Sequence, residues 1–296
     1  MKLTLRNLLA FIYAIILIAL GFVTRAKRKA LEGEYILSLY FHSPSKKLFE
    51  GIIKWFLKNG FHFISVKDIE LIMKGNKPFP RGAVILTIDD GWLSNEENVV
   101  AIANKYEIPV TIFVSTEPVE NGSFWWSYVD IARRQKLTVY KPEHLKKLSN
   151  DERLKIVKVL MGNVHLRRQA MTVEQIKRIA VSKYVTIGGH TVTHPILINC
   201  EDDESFNEIK DSKRELEDWL QTEVNVFAYP NGDFSLREVN YLHQLNFKLG
   251  FTTEETYLTK EKIGFNYHLP RFYIYEDATL AENICRMTGV WGKAKF

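Results

Sequence analysis

The length and composition of the chain allow a large core, and its charge argues against a nucleic-acid-binding protein. Its 296 residues are 46% hydrophobic, enough for one domain of barrel size or two smaller ones. The net charge of +5 comes from residues 1–30, which hold six basic residues and no acidic one, whereas the remainder has 34 basic and 35 acidic residues. A near-neutral body is not typical of a nucleic-acid-binding protein. Cys200 and Cys285 lack metal-type spacing.

The N-terminal segment carries an apolar run from Leu8 to Val23 that predicts a membrane anchor. As a helix this run would be about 24 Å long, a little short of a hydrocarbon core of about 30 Å, and its flanks can extend it. A cleaved signal peptide is the alternative, but the basic residues that follow make a poor cleavage site. We therefore expect a single-helix anchor with a basic flank over residues 1–30, and one folded domain over residues 31–296. The flank favours a cytoplasmic body only by a narrow margin of charge, so the side of the membrane stays open.

Seven short apolar segments after residue 34 alternate with amphipathic helical patterns. Strands are expected at Tyr35–Phe41, Ala83–Asp89, Pro109–Val114, Tyr184–Gly189, Val226–Tyr229, Leu249–Thr253 and Leu269–Ile274. Helices are expected at Lys46–Lys58, Ser94–Tyr106, Val173–Ala180, Asp203–Leu220 and Ser235–Leu245, with a helical insertion between residues 124 and 172. This α/β alternation predicts a parallel sheet, and seven strands suit an incomplete TIM-like (β/α)7 barrel better than an open doubly wound sheet. In such barrels the functional residues lie at the carboxyl ends of the strands.

The first motif, Thr87-Ile88-Asp89-Asp90-Gly91, places two carboxylates where a predicted strand ends. Neighbouring side chains of a regular strand point to opposite faces, so the two carboxylates can share a site only if the backbone turns. Gly91 permits such a turn. An ordinary Asp-Asp-Gly turn without chemistry is the alternative.

The second motif, His190-Thr191-Val192-Thr193-His194, follows another predicted strand and the Gly188-Gly189 pair. Pro195 disfavours a helix at His194, so this is not the helical histidine pair of a zincin. Two histidines at this spacing, in a chain with eight, favour a pair of metal ligands over two unrelated loop residues. Together the motifs offer three ligands and one spare carboxylate, which is typical of a catalytic metal site with an open position.

These motifs resemble those of the polysaccharide deacetylases of carbohydrate esterase family 4, the NodB-homology group. The segment Phe227-Ala228-Tyr229-Pro230-Asn231-Gly232 is similar to the third motif of the poly-N-acetylglucosamine deacetylases of biofilms. The stretches Met171-Thr172-Val173-Glu174-Gln175-Ile176 and Leu269-Pro270-Arg271 resemble the same branch. The likeness covers roughly residues 35 to 275 and implies a NodB-type barrel.

The resemblance also implies a role for each motif residue. Asp90, His190 and His194 would bind a divalent metal, with zinc as the expected ion, and Asp89 would be the base that deprotonates the attacking water. The loop of Tyr229, Pro230 and Asn231 would approach the substrate, and a backbone N–H near Asn231 would stabilise the oxyanion.

The chain departs from the family pattern at two catalytic positions. Many members carry an arginine in the third motif that holds the catalytic aspartate, and none is present here before Pro230. Arg271 is the candidate replacement, with an ordinary rim ion pair as the alternative. The usual C-terminal Leu-x-His motif is also absent. We expect His42, which follows the first strand and matches an N-terminal histidine of the biofilm branch, to act as the general acid in preference to His268.

The expected function is metal-dependent removal of N-acetyl groups from the amino sugars of a polysaccharide or a lipid-linked glycan. The expected partners are this carbohydrate and a membrane, with no nucleic acid, and the expected location is a bacterial inner or cell membrane. An ester deacetylase or deformylase acting on a related glycan is the near alternative. A catalytically inactive carbohydrate-binding assembly component is the alternative from another class.

Overall fold

The sheet of the molecule curls into a barrel of parallel strands. The structure is a computed structural model that describes residues 4–294. Its strands are β1 (Tyr35–Phe41), β2 (His62–Phe63), β3 (Ala83–Ile88), β4 (Val110–Val114), β5 (Val185–Gly189), β6 (Val226–Ala228), β7 (Leu249–Phe251), β8 (Leu258–Thr259) and β9 (Phe272–Tyr273). All seven expected strands are present within a few residues of the expected bounds, and β2 and β8 are additional short strands.

The strands lie in the order β7-β6-β5-β4-β3-β1-β8, with β2 beside β3 and β9 beside β1. All pairings are parallel except that of β1 with β8. The two ends of the curl meet through a parallel bridge between Phe251 of β7 and Leu269, just before β9. Because β9 also pairs with β1, this bridge completes a ring of seven strands. The prediction of an α/β fold with a (β/α)7 barrel of NodB type is confirmed.

Helices cover the outside of this barrel. They are α1 (Leu5–Ala19), α2 (Phe22–Glu32), α3 (Lys46–Lys58), α4 (Val66–Met73), α5 (Ala101–Tyr106), α6 (Thr116–Asn121), α7 (Trp125–Arg134), α8 (Pro142–Leu145), α9 (Asn150–Asn163), α10 (Val173–Ala180), α11 (Asp202–Leu220), α12 (Leu236–Gln244), α13 (Lys260–Ile263) and α14 (Leu280–Met287). A π-helical turn, Glu96–Val100, leads into α5. Buried leucine, isoleucine, valine and phenylalanine side chains of the strands form the main core with the inner faces of these helices.

Helices α7, α8 and α9 form the expected insertion. They pack around a small core of their own that includes Trp125, Val129 and Leu160. This insertion lies beside the barrel mouth, since Trp126 and Lys146 line the cavity there.

The N-terminal segment forms two helices instead of one. Helices α1 and α2 meet at a bend of 60°, where Gly21 has φ +78°. No single helix among residues 4–294 is long and apolar enough to cross a membrane, although the bent pair together passes by length and composition. Helix α1 also packs against α14, and Arg6 is ion-paired with the buried Glu282. The boundary at residue 30 and the anchor stay predictions.

Candidate metal centre and catalytic cavity

The two motifs meet in an open cavity of about 600 Å³ at the carboxyl ends of the barrel strands. Its lining includes His42 after β1, Asp89 and Asp90 after β3, and His190 and His194 after β5. The register explains the meeting, because β1, β3, β4 and β5 are parallel neighbours whose carboxyl ends lie at one edge.

The backbone turns sharply where β3 ends. Asp90 has φ +76° and Gly91 has φ +87°, a left-handed region that is costly for an aspartate and easy for a glycine. Through this turn Asp89 and Asp90 both line the cavity although a regular strand would send them to opposite faces. The strained conformation is thus tied to the placement of the second carboxylate.

Asp90, His190 and His194 form a buried cluster. The Nε2 atoms of His190 and His194 lie 3.5 Å and 3.4 Å from Asp90 Oδ1. One ligand atom from each of the three residues lies within 4.8 Å of the other two. Such a convergence of two imidazole nitrogens and one carboxylate oxygen is a suitable cradle for a divalent ion.

The hydrogen bonds around the cluster orient its ligands. His190 Nδ1 lies 2.7 Å from the Ala228 carbonyl oxygen, so this carbonyl accepts a hydrogen bond from Nδ1 and leaves Nε2 as the ring nitrogen that faces Asp90. The indole Nε1 of Trp92 donates to Asp90 Oδ2 at 2.8 Å. Such contacts are the usual way in which metal sites hold the geometry of their ligands, although the buried Nδ1 of His194 has no hydrogen-bond partner within residues 4–294.

The cluster is electrostatically prepared for a cation. Burial lowers the pKa of His194 to about 4, although its hydrogen bond to Asp90 opposes this shift. Burial alone would raise the pKa of Asp90, but hydrogen bonds with His190 and His194 hold it well below its usual range. At neutral pH the cluster therefore presents a neutral imidazole at His194 and a carboxylate, the forms that ligate metals.

Asp89 lies beside this cluster and forms an ion pair with Arg271. The guanidinium donates to Asp89 Oδ1 at 2.7 Å and to Oδ2 at 2.8 Å, a two-point ion pair. Arg271 is fully buried. The structure thus places the candidate arginine against the candidate base, and the alternative of a rim ion pair is wrong.

The position of Arg271 depends on the closure of the barrel. The residue precedes β9, which lies beside β1, and its Nε donates to the Thr252 carbonyl after β7 at 2.9 Å. Its Nη1 also donates to Thr87 Oγ1 at 2.9 Å, and the guanidinium lies 4.6 Å from the ring centroid of Tyr40. These contacts hold the arginine from three parts of the barrel.

His42 lies in the wall of the same cavity. Its backbone N–H donates to Glu276 Oε1 at 3.1 Å, and its carbonyl accepts from Asn95 at 2.9 Å. Its ring packs edge-on against Tyr40 and Tyr273. His268, the competing histidine, lies elsewhere, 3.3 Å from Glu254 and against the ring of Phe234.

The third-motif loop reaches the cavity through Asn231. This residue has φ +59° and its side chain accepts from Lys146 Nζ at 2.9 Å. Tyr229 is directed into the core, where its hydroxyl donates to the Tyr267 carbonyl and its ring stacks on Phe234. Tyr229 and the buried Pro230 therefore shape the loop, and the expected oxyanion donor near Asn231 stays a prediction.

Aromatic residues that the sequence did not single out as site residues complete the cavity. Trp126, from the insertion, lies edge-on to the His194 ring at 4.8 Å between centroids. It also stacks on Phe124, which is fully buried. Phe124 and Trp125 of this segment therefore lie in the core, whereas Trp126 lies at the cavity. The spacing of aromatics in this segment was the only signal, and it could not tell these roles apart.

Two buried side chains of opposite charge support the loop that carries His194. Glu208 of α11 accepts from the backbone N–H groups of Val192 and Thr193, both at 2.9 Å, and from Thr193 Oγ1 at 2.7 Å. Arg153 of α9 donates to Thr193 Oγ1 at 2.8 Å and to the Thr193 carbonyl at 3.3 Å. Sequence inspection missed both residues because a charged residue on an amphipathic helix resembles any solvated one.

Comparisons with known proteins identify the family of this chain. A family model for polysaccharide deacetylases matches residues 76–250. YxkH of Bacillus subtilis (strain 168) is 21% identical over 226 residues, 76% of this chain but only 64% of YxkH, so the chain spans less than two thirds of that relative. The poly-beta-1,6-N-acetyl-D-glucosamine N-deacetylase of Staphylococcus aureus (strain N315) is 23% identical over 249 residues, 81% of this chain and 73% of that protein.

Solved structures show the same fold. The Streptococcus pyogenes deacetylase PplD, in complex with acetate, superposes with a TM-score of 0.63 at 21% identity over 86% of this chain and 98% of PplD. IcaB from Ammonifex degensii gives a TM-score of 0.63 at 19% identity over 88% of this chain and 98% of IcaB. Since the family model covers more than half of the sequence, this chain belongs to the polysaccharide deacetylase family.

Proposed function

We propose that this protein removes N-acetyl groups from the amino-sugar residues of a polysaccharide or a lipid-linked glycan by metal-dependent hydrolysis. The observation that carries the proposal is the separation of two neighbouring carboxylates. Asp90 converges with His190 and His194, whereas Asp89 beside it is paired with Arg271. One cavity thus offers a ligand set and a separate candidate base.

The donor set suits a divalent metal, and zinc in particular. Zinc accepts imidazole nitrogen and carboxylate oxygen, and three protein ligands leave one position for water or substrate. Asp90, His190 and His194 would hold the ion. When bound, the ion would polarise the acyl carbonyl and acidify water.

The side chains of Asp89 and His42 would then accept and donate the protons of the reaction. A carboxylate oxygen of Asp89 would accept a proton from the water whose oxygen attacks the carbonyl carbon. Arg271 occupies one lone pair on each oxygen of Asp89 and leaves the others free, so it orients the carboxylate without blocking it. The carbon–nitrogen bond then breaks, and the imidazole of His42 would give a proton to the leaving nitrogen. The products are acetate and a free amine on the sugar.

The cavity and one relative support a carbohydrate substrate. The Staphylococcus aureus relative carries a name that specifies poly-beta-1,6-N-acetyl-D-glucosamine, and we extend this substrate class to the present chain. Trp126 and Tyr273 line the cavity, and sugar rings stack on such aromatic faces. Asp130, Glu143 and Lys146 at the same cavity supply polar partners for sugar hydroxyls.

The location that we propose is a bacterial inner or cell membrane, reached through the N-terminal segment. The apolar run of this segment and the basic excess of residues 1–30 support it. A membrane location would bring the enzyme to a polymer or a lipid-linked glycan at the cell envelope.

Acetate release by the full chain tests the proposed reaction. The chain is stripped of metal with a chelator, supplied with zinc, and given β-1,6-linked N-acetylglucosamine oligomers. We expect zinc-dependent release of acetate, a loss of about 10²- to 10⁴-fold on Asp89→Asn, since a base is removed, and loss of both zinc binding and activity on His190→Ala.

Two exposed substitutions of the same types are the controls, Asp151→Asn and His144→Ala, and both are expected to leave the rate unchanged. Zinc binding without acetate release, but with release from an O-acetylated or N-formylated oligomer, would favour the esterase or deformylase alternative. Absence of zinc binding at the cluster would contradict the proposal and favour the inactive carbohydrate-binding component.

A further inference from the structure

The two N-terminal helices pack against the barrel with one face and leave the opposite face exposed. We call α1 (Leu5–Ala19) and α2 (Phe22–Glu32) together the N-terminal elbow. Their mutual angle of 60° is set at Gly21, whose φ of +78° lies in the left-handed region that glycine enters without strain. The elbow is therefore a bend built into the backbone.

One face of the elbow is attached to the barrel. Arg6 donates to both oxygens of Glu282 at 2.7 Å and 2.6 Å, and the Glu282 side chain is fully buried. Asn7 Nδ2 donates to the Asp277 carbonyl at 3.2 Å. Ala14 and Leu17 pack with Cys285 and Val290 in a buried apolar cluster. Pulling α1 away would uncover this cluster and remove one of the two arginine partners of a buried carboxylate, which is costly.

The opposite face of α1 is apolar and exposed. Its residues include Leu5, Leu8, Leu9, Ile12 and Ile15, and Leu20, which directly follows the helix, continues it. Leu5, Leu9 and Leu20 are 74%, 59% and 66% exposed, so this face lacks a cover in the molecule. A contiguous exposed apolar surface of this kind marks a site for a membrane or a protein partner.

A cavity of about 700 Å³ opens beside this face, between the elbow and the sheet edge at β8. Ile16, Leu20 and Phe22 line the cavity and are themselves exposed, so its mouth joins the exposed face. Arg25, Lys29 and Glu34 also line it. Lys29 is paired with Glu34 at 2.8 Å, whereas Arg25 has no ion pair within residues 4–294 and stays available to an anion.

We propose that the elbow lies in the plane of an anionic lipid bilayer, with the exposed face of α1 among the acyl chains, and that the cavity takes an acyl chain of one lipid whose phosphate meets Arg25. This inference rests on the proposed membrane location and goes beyond it, because it replaces a spanning anchor by an in-plane one and adds a lipid site. Helices with one apolar face and basic residues bind bilayers in this way.

Charge and length favour an in-plane lipid contact over the other arrangements. The elbow carries five basic residues and one acidic residue, Glu32, so two copies of the elbow would repel each other, whereas an anionic surface would attract it. Helix α1 has 15 residues and is therefore about 22 Å long, less than the hydrocarbon thickness of about 30 Å.

Depth measurements on the full chain test the in-plane orientation. Leu5→Cys, Ile12→Cys and Leu20→Cys variants are labelled with an environment-sensitive fluorophore and mixed with vesicles of phosphatidylglycerol and phosphatidylethanolamine. Lipids with quenchers at two depths then locate each label. An in-plane elbow predicts one shallow depth for all three labels. A spanning helix predicts that Ile12 lies near the mid-plane with Leu5 and Leu20 near opposite surfaces, which would overturn the inference.

Substitutions separate the apolar contact from the lipid phosphate. Leu8→Glu with Ile12→Glu should weaken vesicle binding at least tenfold, whereas Val159→Glu with Val181→Glu, which changes exposed valines elsewhere, should not. Arg25→Gln should weaken binding about fivefold, and Arg28→Gln, on the same helix but outside the cavity, should have a clearly smaller effect. Equal effects of the two arginine changes would contradict the lipid site.

Further measurements show whether Arg25 binds a lipid phosphate or a free one. They also separate a failure of the elbow inference from a failure of the proposed function. Glycerol phosphate in solution should not displace the protein from vesicles, and phosphatidylcholine vesicles should bind it weakly. Self-association of the full chain without vesicle binding would overturn the inference. Acetate release is measured on the unaltered chain and on the same variants, which should keep acetate release from soluble oligomers while their vesicle binding weakens. In the unaltered chain, acetate release without vesicle binding would overturn the elbow inference alone, and vesicle binding without acetate release would contradict the proposed function alone.

Discussion

Asp89 and Asp90 are neighbours in the sequence, yet their surroundings prepare them for different tasks. Asp90 faces two imidazoles and accepts from Trp92, whereas both oxygens of Asp89 accept from Arg271. The turn at Gly91 makes this division possible, since it directs both side chains to one cavity. The chemistry of the site therefore depends on one backbone conformation as much as on the residues themselves.

Replacing Arg271 by lysine tests whether the two hydrogen bonds from the guanidinium to Asp89 matter for catalysis. Lysine keeps the charge but offers a single flexible ammonium in place of a planar fork, so the carboxylate loses its fixed orientation. We expect kcat for acetate release to fall about 10- to 100-fold, as small displacements of catalytic groups do, with zinc content unchanged.

Zinc content and kcat are measured on the same sample of Arg271→Lys. Arg168→Lys is the control, because this arginine donates to backbone carbonyls such as that of Val119 and makes no contact with Asp89. An unchanged kcat in Arg271→Lys would show that the two hydrogen bonds from Arg271 to Asp89 have no catalytic importance.

At the scale of elements, the histidine loop is held between two helices that come from distant parts of the sequence. Arg153 on α9 and Glu208 on α11 both bind Thr193, the residue before His194. Both charged residues are buried. His194 itself has φ +53°, so the loop needs outside support to keep this conformation.

The change Glu208→Gln tests this support. An amide nitrogen cannot accept hydrogen bonds, so at least one of the three groups that donate to Glu208 loses its partner. We expect zinc affinity to fall about 10- to 100-fold, as it does when contacts to metal ligands are lost. The free energy of unfolding should fall by about 1–3 kcal/mol, the cost of an unsatisfied buried polar group.

Zinc affinity is measured by competition with a chelator, and stability by urea unfolding. Asp203→Asn, an exposed change on the same helix, is the control. A loss of stability with unchanged zinc affinity would mean that Glu208 supports the fold but not the ligand geometry.

At the scale of the whole molecule, burial of the ligand cluster links folding to pH. The pKa of His194 is lowered from 6.5 to about 4 in the folded protein, so between these values the unfolded chain holds a proton that the folded protein does not. The free energy of unfolding of the metal-free protein should therefore be fully retained above about pH 6.5 and fall as the pH drops toward 4, by up to about 3 kcal/mol.

Urea unfolding of metal-free protein between pH 7 and pH 4.5 measures this slope. The low pKa of Asp90 adds a loss of the same sign at still lower pH. His194→Ala should flatten the slope between pH 6.5 and 4.5 whatever its effect on the stability at pH 7, whereas His144→Ala, at an exposed position, should not. An unchanged slope in His194→Ala would contradict the coupling.

Much of the barrel and its ligand set could be predicted from the sequence because both rest on local patterns. The runs at Tyr35–Phe41 and Lys46–Lys58 match β1 and α3 residue for residue, since the periodicity of apolar side chains is a local property. Asp90, His190 and His194 follow such runs directly, and parallel strands bring their carboxyl ends together. The seven-strand barrel and the convergence of the two motifs could be predicted at this level, whereas the choice of Asp90 as the ligand rested on the family resemblance.

Only the tertiary structure decided which distant side chains meet. Arg271 reaches Asp89 because the bridge of Phe251 with Leu269 closes the ring, and the support of the His194 loop by Glu208 depends on the packing of a separate helix. The apolar run predicts a single anchor helix from sequence alone. The 60° bend and the packing of α1 against α14 appear only in the tertiary structure. The physical reason is the same in each case: these contacts join residues far apart in sequence, and their free energy depends on shape and burial that local composition does not encode.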